Sequence, residues 1–306
     1  KENSNILQYL KDRNISVDTI KEFKIGYSYN STETLNQYLR QKSFTEDEII
    51  NSNLAKLGRK DSLRDFFYKR LIFPICDINS KVVGFGGRSL NNSEPKYINS
   101  PESAFFKKGK LLFNIDKAKS IVRKKENLLI CEGYMDVISL YNKGIKSVVA
   151  PLGTALTYDQ LLIAWKLCKK PTLMFDGDIA GKKASIKSAL LALKYLNPGY
   201  SIQFLELPTN EDPDSYVNNL PKNEFIKFLK YPTDLSNYIF NYAKKSFNYD
   251  TPDQKIIFDK YFDDIINFIE NKKVRLFYKK EFKEKLYLFF NNYKSKKIST
   301  KNSNLN

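Results

Sequence analysis

The sequence has 306 residues, 42% hydrophobic and 14% aromatic, enough for about two ordinary domains with a buried core, and wholesale disorder is excluded. Its 51 Lys and Arg against 34 Asp and Glu give a formal charge of +17, a balance that points to a polyanionic partner. There is no histidine, which excludes His general bases, Ser-His-Asp triads and His-containing zinc sites; Cys76, Cys131 and Cys168 are too few and scattered for a disulfide framework or an all-cysteine metal site.

In chain order, Ile6-Leu7-Tyr9-Leu10 and Leu35-Tyr38-Leu39 have helical spacing, so residues 4–57 read as short helices. Thr45 with Glu48 three residues on is a capping box that opens a short helix through Ile49 and Ile50. The period then changes. Leu71 to Ile75 and Lys81 to Phe85 are strand-like, joined by the turn Asp77-Ile78-Asn79-Ser80. From residue 128 short apolar runs alternate with helical stretches. The runs are 128–131, 147–150, 172–175 and 202–205; the helices start at Tyr134, cross Leu161, Leu162 and Trp165, and pass through Ala184, Leu190 and Leu193. That alternation predicts an α/β fold, a parallel sheet with helices on both faces. Residues 219–295 return to helical patterning, with a polar, frayed tail expected beyond Lys294. No apolar run approaches the ~20 residues of a membrane span, and no charged-then-apolar leader is evident. Lys1 rather than Met at the start is what a piece of a longer protein would show.

Charge follows the same division. Residues 1–50 carry 7 basic and 8 acidic side chains, residues 51–127 carry 17 and 7, residues 128–218 carry 9 and 9, and residues 219–306 carry 18 and 10. A bias toward Lys, Asn, Ile and Tyr inflates the total, but it does not explain why the centre is neutral.

The centre is where the acids are placed. Ligands of open parallel sheets gather at the carboxyl ends of strands. Glu132 follows the first run, Asp176 and Asp178 the third, and Asp212 and Asp214 the fourth. Carboxylates converging where no histidine exists suit Mg²⁺ or Mn²⁺, hard cations that prefer oxygen. A single such residue is ordinarily a helix cap; five on three strand ends make a metal site the better reading. Gly133 and Gly177, beside these acids, are expected at sharp turns. Upstream, Arg64, Lys69 and Arg70 flank Phe66-Phe67-Tyr68, Arg88 follows a glycine-rich turn, and Lys96, Lys107, Lys108 and Lys110 come next. Cations interleaved with aromatics can hold phosphates while rings stack on bases. Cys131 and Trp165 read as core residues. No Walker A sequence or Rossmann glycine spacing is present.

Glu132-Gly133-Tyr134-Met135-Asp136-Val137, Leu152-Gly153-Thr154-Ala155-Leu156-Thr157 and Phe175-Asp176-Gly177-Asp178 with Ala180-Gly181 resemble the Toprim domain of bacterial replicative primases of DnaG type. The strings from Arg64 to Ile75, Gly84 to Arg88, Pro95 to Glu102 and Phe106 to Phe113 agree with that family upstream, and Asp212-Pro213-Asp214 with its last acidic motif. The resemblance covers residues 6 to 220. It implies three parts: an N-terminal basic α+β subdomain (1–126), a Toprim catalytic subdomain (127–218) and a C-terminal helical subdomain (219–306).

It also implies a DNA primase core that makes RNA primers on single-stranded DNA from ribonucleoside triphosphates. Glu132, Asp176, Asp178, Asp212 and Asp214 would gather the Mg²⁺ or Mn²⁺, with Glu132, Asp176 and Asp178 catalytic. Arg64, Arg88, Lys96, Asn99 and Lys108 would hold template, nucleotide or primer. The family's zinc-binding domain has no ligands here, and its helicase-binding domain would need more chain, so a replicative helicase would meet a region absent from this sequence. A cytoplasmic monomer without membrane contact is the expectation. A Toprim nuclease or topoisomerase is the rival enzyme class, and a non-catalytic single-strand binder the third.

Overall fold

The computed structural model describes residues 2–29, 34–58, 62–90, 94–125, 127–153 and 155–303. The chain begins with α1 (Glu2–Asp12), α2 (Val17–Glu22), β1 (Gly26–Ser28), α3 (Leu35–Gln41) and α4 (Glu46–Asn51). Next come an antiparallel pair, β2 (Ala55–Leu57) and β3 (Leu63–Asp65), then β4 (Arg70–Cys76), β5 (Val82–Ser89) and β6 (Tyr97–Asn99). A 3-10 turn at Lys108–Lys110 and helix α5 (Ile115–Lys125) lead into the alternating region. There the order is β7 (Leu129–Ile130), α6 (Tyr134–Asn142), β8 (Val148–Val149), α7 (Tyr158–Leu167), β9 (Thr172–Leu173), α8 (Ile179–Tyr195) and β10 (Gln203–Phe204). The remainder is α9 (Pro213–Asn219), α10 (Lys222–Phe228), β11 (Thr233–Asp234), α11 (Leu235–Ser246), α12 (Pro252–Asn267) and α13 (Lys272–Ser303).

Two sheets organise these elements. The first is antiparallel, in the order β1-β4-β5-β6, and its central turn is closed by Asp77, whose Oδ1 accepts from the Asn79 and Lys81 amides. The second has the order β11-β10-β9-β7-β8, with β10, β9, β7 and β8 parallel and β11 an antiparallel edge. β7 and β8 are buried on both faces and read as apolar, whereas β9 and β10 are half-buried at Thr172 and Gln203, the polar residues of their runs.

Side chains alternate across the second sheet. Leu129, Cys131, Val148, Ala150, Met174 and Leu205 join one core, with Met135, Val137 and Ile138 of α6 and with Leu71, Phe73 and Ile75 of β4. Ile130, Val149, Leu173 and Phe204 join another, with residues of α5, α7, α8 and α11 to α13. The mixed α/β fold with a helix-flanked parallel sheet is therefore as expected. Cys131 is fully buried, and Trp165 is a core residue that donates to the Ser201 carbonyl. The cores cross the segment limits read from sequence. Ile115, Ala118 and Val122 of α5 pack with the parallel sheet, and β11 extends that sheet past residue 218.

The C-terminal helices close around Phe258, Phe262 and Phe282. Helix α13 continues to Ser303, where a frayed tail was expected: residues 294–303 contain no Gly or Pro to stop it. Among the described residues no helix is long and apolar enough to cross a membrane.

Candidate active site

Between β7 and β9 the crossovers diverge: the chain leaves β7 toward β8 and leaves β9 toward β10. Divergent crossovers open a crevice at the carboxyl ends of the strands. Glu132 lies two residues past β7, Asp176 three past β9, and Asp212 and Asp214 at the start of α9. A cleft of about 290 Å³ opens here, lined by Glu132, Asp136, Asp176, Asp212 and Asp214 and by Arg13, Arg88, Lys96, Tyr97, Asn99 and Tyr134.

Each acid has its own local reason. Asp178 is the N-cap of α8, its Oδ1 accepting from the Gly181 amide at 2.7 Å. Asp212 caps α9 in the same way, accepting from the Ser215 amide at 2.6 Å, with Pro213 at the first helical position. Glu132 is no cap, because Gly133 occupies that place before α6. Asp136 accepts from the Gly133 amide at 2.8 Å and is buried. Asp214 pairs with Arg13 and accepts from Ser139 Oγ and Asn218 Nδ2. By contrast Glu132 Oε2 and Asp176 Oδ1 are buried with no hydrogen-bond partner.

Gly133 stands at a bend in the chain, as expected, and with extended backbone it occupies the N-cap position of α6. Gly177 is required for space: a Cβ there would lie 1.9 Å from the Pro208 carbonyl oxygen. Of the strand-end glycines, Gly153 is the one in the left-handed region, at φ +72°.

Burial, and after it the crowding of carboxylates, sets the electrostatics. Burial, then Glu132, Asp212 and Asp178, push the Asp176 carboxyl up to about 7 against the opposing pull of Lys96. Burial and Asp178 raise Glu132 above its ordinary range, partly offset by a hydrogen bond from the Asp176 backbone. Burial, then Asp176 and Asp212, hold Asp136 well above the usual carboxylate range.

These shifts fix a sign. A carboxyl whose folded pKa lies above its unfolded value is favoured in its protonated form by the fold. Asp176 therefore contributes stability at low pH that is lost as pH rises from about 4 through about 7. The metal-free thermal midpoint is expected to fall over that window, and Asp176→Asn to remove part of the fall. An equal slope in both proteins, measured by circular dichroism at fixed ionic strength, would contradict it.

The basic wall is built from distant pieces. The Arg88 guanidinium lies 5.3 Å from the Tyr9 ring centroid and 5.1 Å from that of Tyr97, whose hydroxyl it also contacts. Asn99 donates to the Leu152 carbonyl at 3.2 Å and accepts from the Tyr134 hydroxyl. Lys96 is exposed at the rim. Of the cationic and polar candidates, the cleft thus gathers Arg88, Lys96 and Asn99. Arg64 is exposed on β3 beside Gly58, and Lys108 sits on the 3-10 turn, its carbonyl accepting from Gln160; neither lines the cleft. Arg70 is buried and donates to the Lys96 carbonyl. Asp178 is exposed just outside the walls but acts on both Glu132 and Asp176. Thr154, in one of the quoted motifs, lies outside the described residues.

Arg13, Tyr97, Tyr134 and Asp136 belong to the cleft without having been singled out in the sequence. Asp136 had a signal, an acid three residues after the helix-opening Gly133. Arg13 had none, since its partner Asp214 is 201 residues away.

Metal fit turns on the donors. Among the described residues no three acidic or cysteine side chains are gathered closely enough to cage an ion as they stand. The two unpartnered buried oxygens, on Glu132 and Asp176, and the oxygen-only donor set nevertheless fit a hard divalent cation.

Residues 1–119 match the family described as DNA primase catalytic core, N-terminal domain, and residues 129–217 match the family described as Toprim-like. The chain is 37% identical over 287 residues to the DNA primase of Rickettsia bellii, covering 92% of this chain and 47% of that protein. It is 35% identical over 269 residues to that of Clostridium acetobutylicum, covering 88% and 44%. The chain thus spans about half the length of the curated relatives it matches. Among solved structures, a DnaG primase catalytic domain bound to single-stranded DNA is similar with a TM-score of 0.81 and 31% identity, over 92% of this chain and 88% of that one. The E. coli primase catalytic core is similar with a TM-score of 0.83 and 30% identity, over 93% and 91%.

Proposed function

The chain belongs to the DNA primase family of DnaG type, and on that premise we propose that it is a primase catalytic core, a DNA-directed RNA polymerase that joins ribonucleotides into short primers on single-stranded DNA. One observation carries the reading: a single cleft sets unpartnered carboxylate oxygens, on Glu132 and Asp176, together with the cations Arg88 and Lys96. Mg²⁺ or Mn²⁺ would be held by Glu132, Asp176, Asp178 and Asp212, with Asp214 as a further donor. Bound there, such an ion supplies charge stabilisation at the reacting phosphate and lowers the pKa of a hydroxyl.

The chain's own residues do the rest. Lys96 and Arg88 neutralise the triphosphate of the incoming nucleotide, and the tyrosine faces on either side of Arg88 fix its aim. Tyr134 and the Leu152 carbonyl hold Asn99 in one orientation at the cleft wall. Glu132, with its buried Oε2 unpartnered and its carboxyl raised by burial above the ordinary range, is suited to accept the proton of an attacking 3′-hydroxyl. Arg64 and Lys108, outside the cleft, lie along the path of the template or primer. In the same reading residues 1–126 guide nucleic acid, residues 127–218 carry the chemistry, and residues 219–306 support them. The core works as a monomer in a bacterial-type cytoplasm, and a replicative helicase is engaged by parts of the longer relatives that this chain does not span.

Nucleotide incorporation on single-stranded DNA, with and without Mg²⁺, tests the proposal: a template- and metal-dependent RNA product is expected. Cleavage or relaxation of plasmid without nucleotides would favour a Toprim nuclease or topoisomerase instead. The match of residues 1–119 to a primase N-terminal domain weighs against that rival. Replacing Lys96 or Lys108 by Ala should weaken single-strand binding and flatten its salt dependence by about one phosphate contact each. Folding stability should move within about ±0.5 kcal/mol. An unchanged salt slope for both would remove them from the binding track.

A further inference from the structure

The acids of the cleft are unequal. Glu132 and Asp176 each have a buried oxygen without a partner, whereas both oxygens of Asp214 are engaged. Its Oδ2 pairs with Arg13, and its Oδ1 accepts from Ser139 and Asn218. Ser139 belongs to α6 and Asn218 to α9, both packed helices. Arg13 follows the end of α1 and forms part of the cleft wall; its side chain is 31% exposed and that of Asp214 only 7%. One oxygen is therefore held by the frame of the fold. The other is held by a group that the contents of the cleft can touch.

We infer that Arg13 is a positioning residue that withholds Asp214 from the divalent ion until a polyphosphate enters the cleft. This deepens the metal-dependent reading above and rests on it. A guanidinium fork matches phosphate oxygens two at a time, so a triphosphate competes with Oδ2 for Arg13. Releasing Oδ2 alone would leave a buried carboxylate charge unpaired, a strongly destabilised state. A divalent cation on the freed oxygen removes that cost. Polyphosphate and cation then favour each other's entry, and the coupling is reciprocal. Arg13 does not have to leave the cleft for the exchange: its guanidinium lies 5.2 Å from the Tyr9 ring centroid, which holds it beside the Arg88 stack.

The test is Mn²⁺ binding by calorimetry, without nucleotide, to the unaltered chain, Arg13→Ala, Asp214→Asn and the double variant. Arg13→Ala is expected to bind Mn²⁺ about tenfold more tightly, within the usual range of couplings between sites. Asp214→Asn alone should leave the affinity unchanged, and the double variant should lose the gain. A gain that survives in the double variant would mean that Arg13 acts only as a nearby positive charge, which overturns the inference. Weakened Mn²⁺ binding in Asp214→Asn with Arg13 intact would overturn it too, since Asp214 would then be a ligand from the start. Thermal midpoints of all four proteins check folding. If Arg13→Ala fails to fold, Arg13→Gln, neutral but able to donate to Oδ2, should give a smaller gain with the same dependence on Asp214. Failure of the underlying reading has a different signature: Mn²⁺ binding that is absent, or unaffected by Glu132→Gln, removes the metal site and the latch with it.

Discussion

Glu132→Gln is expected to lower primer synthesis at least about a hundredfold, the lower end of what removing a general base costs. The substitution keeps size and shape and removes one charge. In the fold, Glu132 is not a helix cap, and its Oε2 is buried without a partner. No structural hydrogen bond to that oxygen is lost, while its repulsion with Asp178 is relieved. The thermal midpoint should therefore hold or rise. Affinity for single-stranded DNA should hold or rise slightly, because a negative charge beside the phosphate path is gone. Synthesis, binding and melting are to be measured on one preparation. Near-normal synthesis at saturating Mg²⁺ would sink the assignment, and a drop in midpoint with synthesis intact would return Glu132 to a structural part.

Gly177→Ala is expected to be the most damaging single methyl in the site. The added Cβ would stand 1.9 Å from the Pro208 carbonyl oxygen and 3.0 Å from that of Leu207, backbone atoms that cannot rotate away. The Gly177 amide also donates to the Glu211 carbonyl at 2.8 Å, tying the segment after β9 to the segment that delivers Asp212. Forcing these segments apart should cost about 3 kcal/mol, the upper part of the range for overpacking. It should also separate Asp176 and Asp178 from Asp212, so synthesis should fall even at temperatures where the protein is folded. Gly26→Ala is the control. A Cβ there meets nothing within 4 Å, and its midpoint should stay near the parent's. Equal midpoints for the two variants would show that the Gly177 contact is relieved without strain.

How much of this was legible beforehand depended on how local each cause is. The mostly apolar runs at 128–131, 147–150, 172–175 and 202–205 announced parallel strands because strands covered by helices show little polar side, with Thr172 and Gln203 the half-buried exceptions. Thr45 with Glu48, and Asp77 before its turn, were readable because their hydrogen bonds close within four residues. The short strands β1 and β11 carry no alternation of their own; they are strands because β4 and β10 offer them an edge. Helix α13 outran its expected end because composition alone does not stop a helix.

The same division runs through the site. Residue type and strand-helix alternation alone placed Glu132, Asp176 and Asp178 just past strand ends, since a parallel α/β chain must turn there. Asp212 and Asp214, expected after the fourth run, stand instead at the start of α9, well past the end of β10. What those carboxylates face was decided by tertiary structure. Asp214 is tied to an arginine 201 residues away. Arg88 is buried between two tyrosines from different elements, and Arg64 and Lys108 stand outside the cleft that holds Lys96. Periodicity records which side of a local element is buried. An ion pair or a cation over a ring depends on where two independent segments come to rest, and that is set only when both cores close.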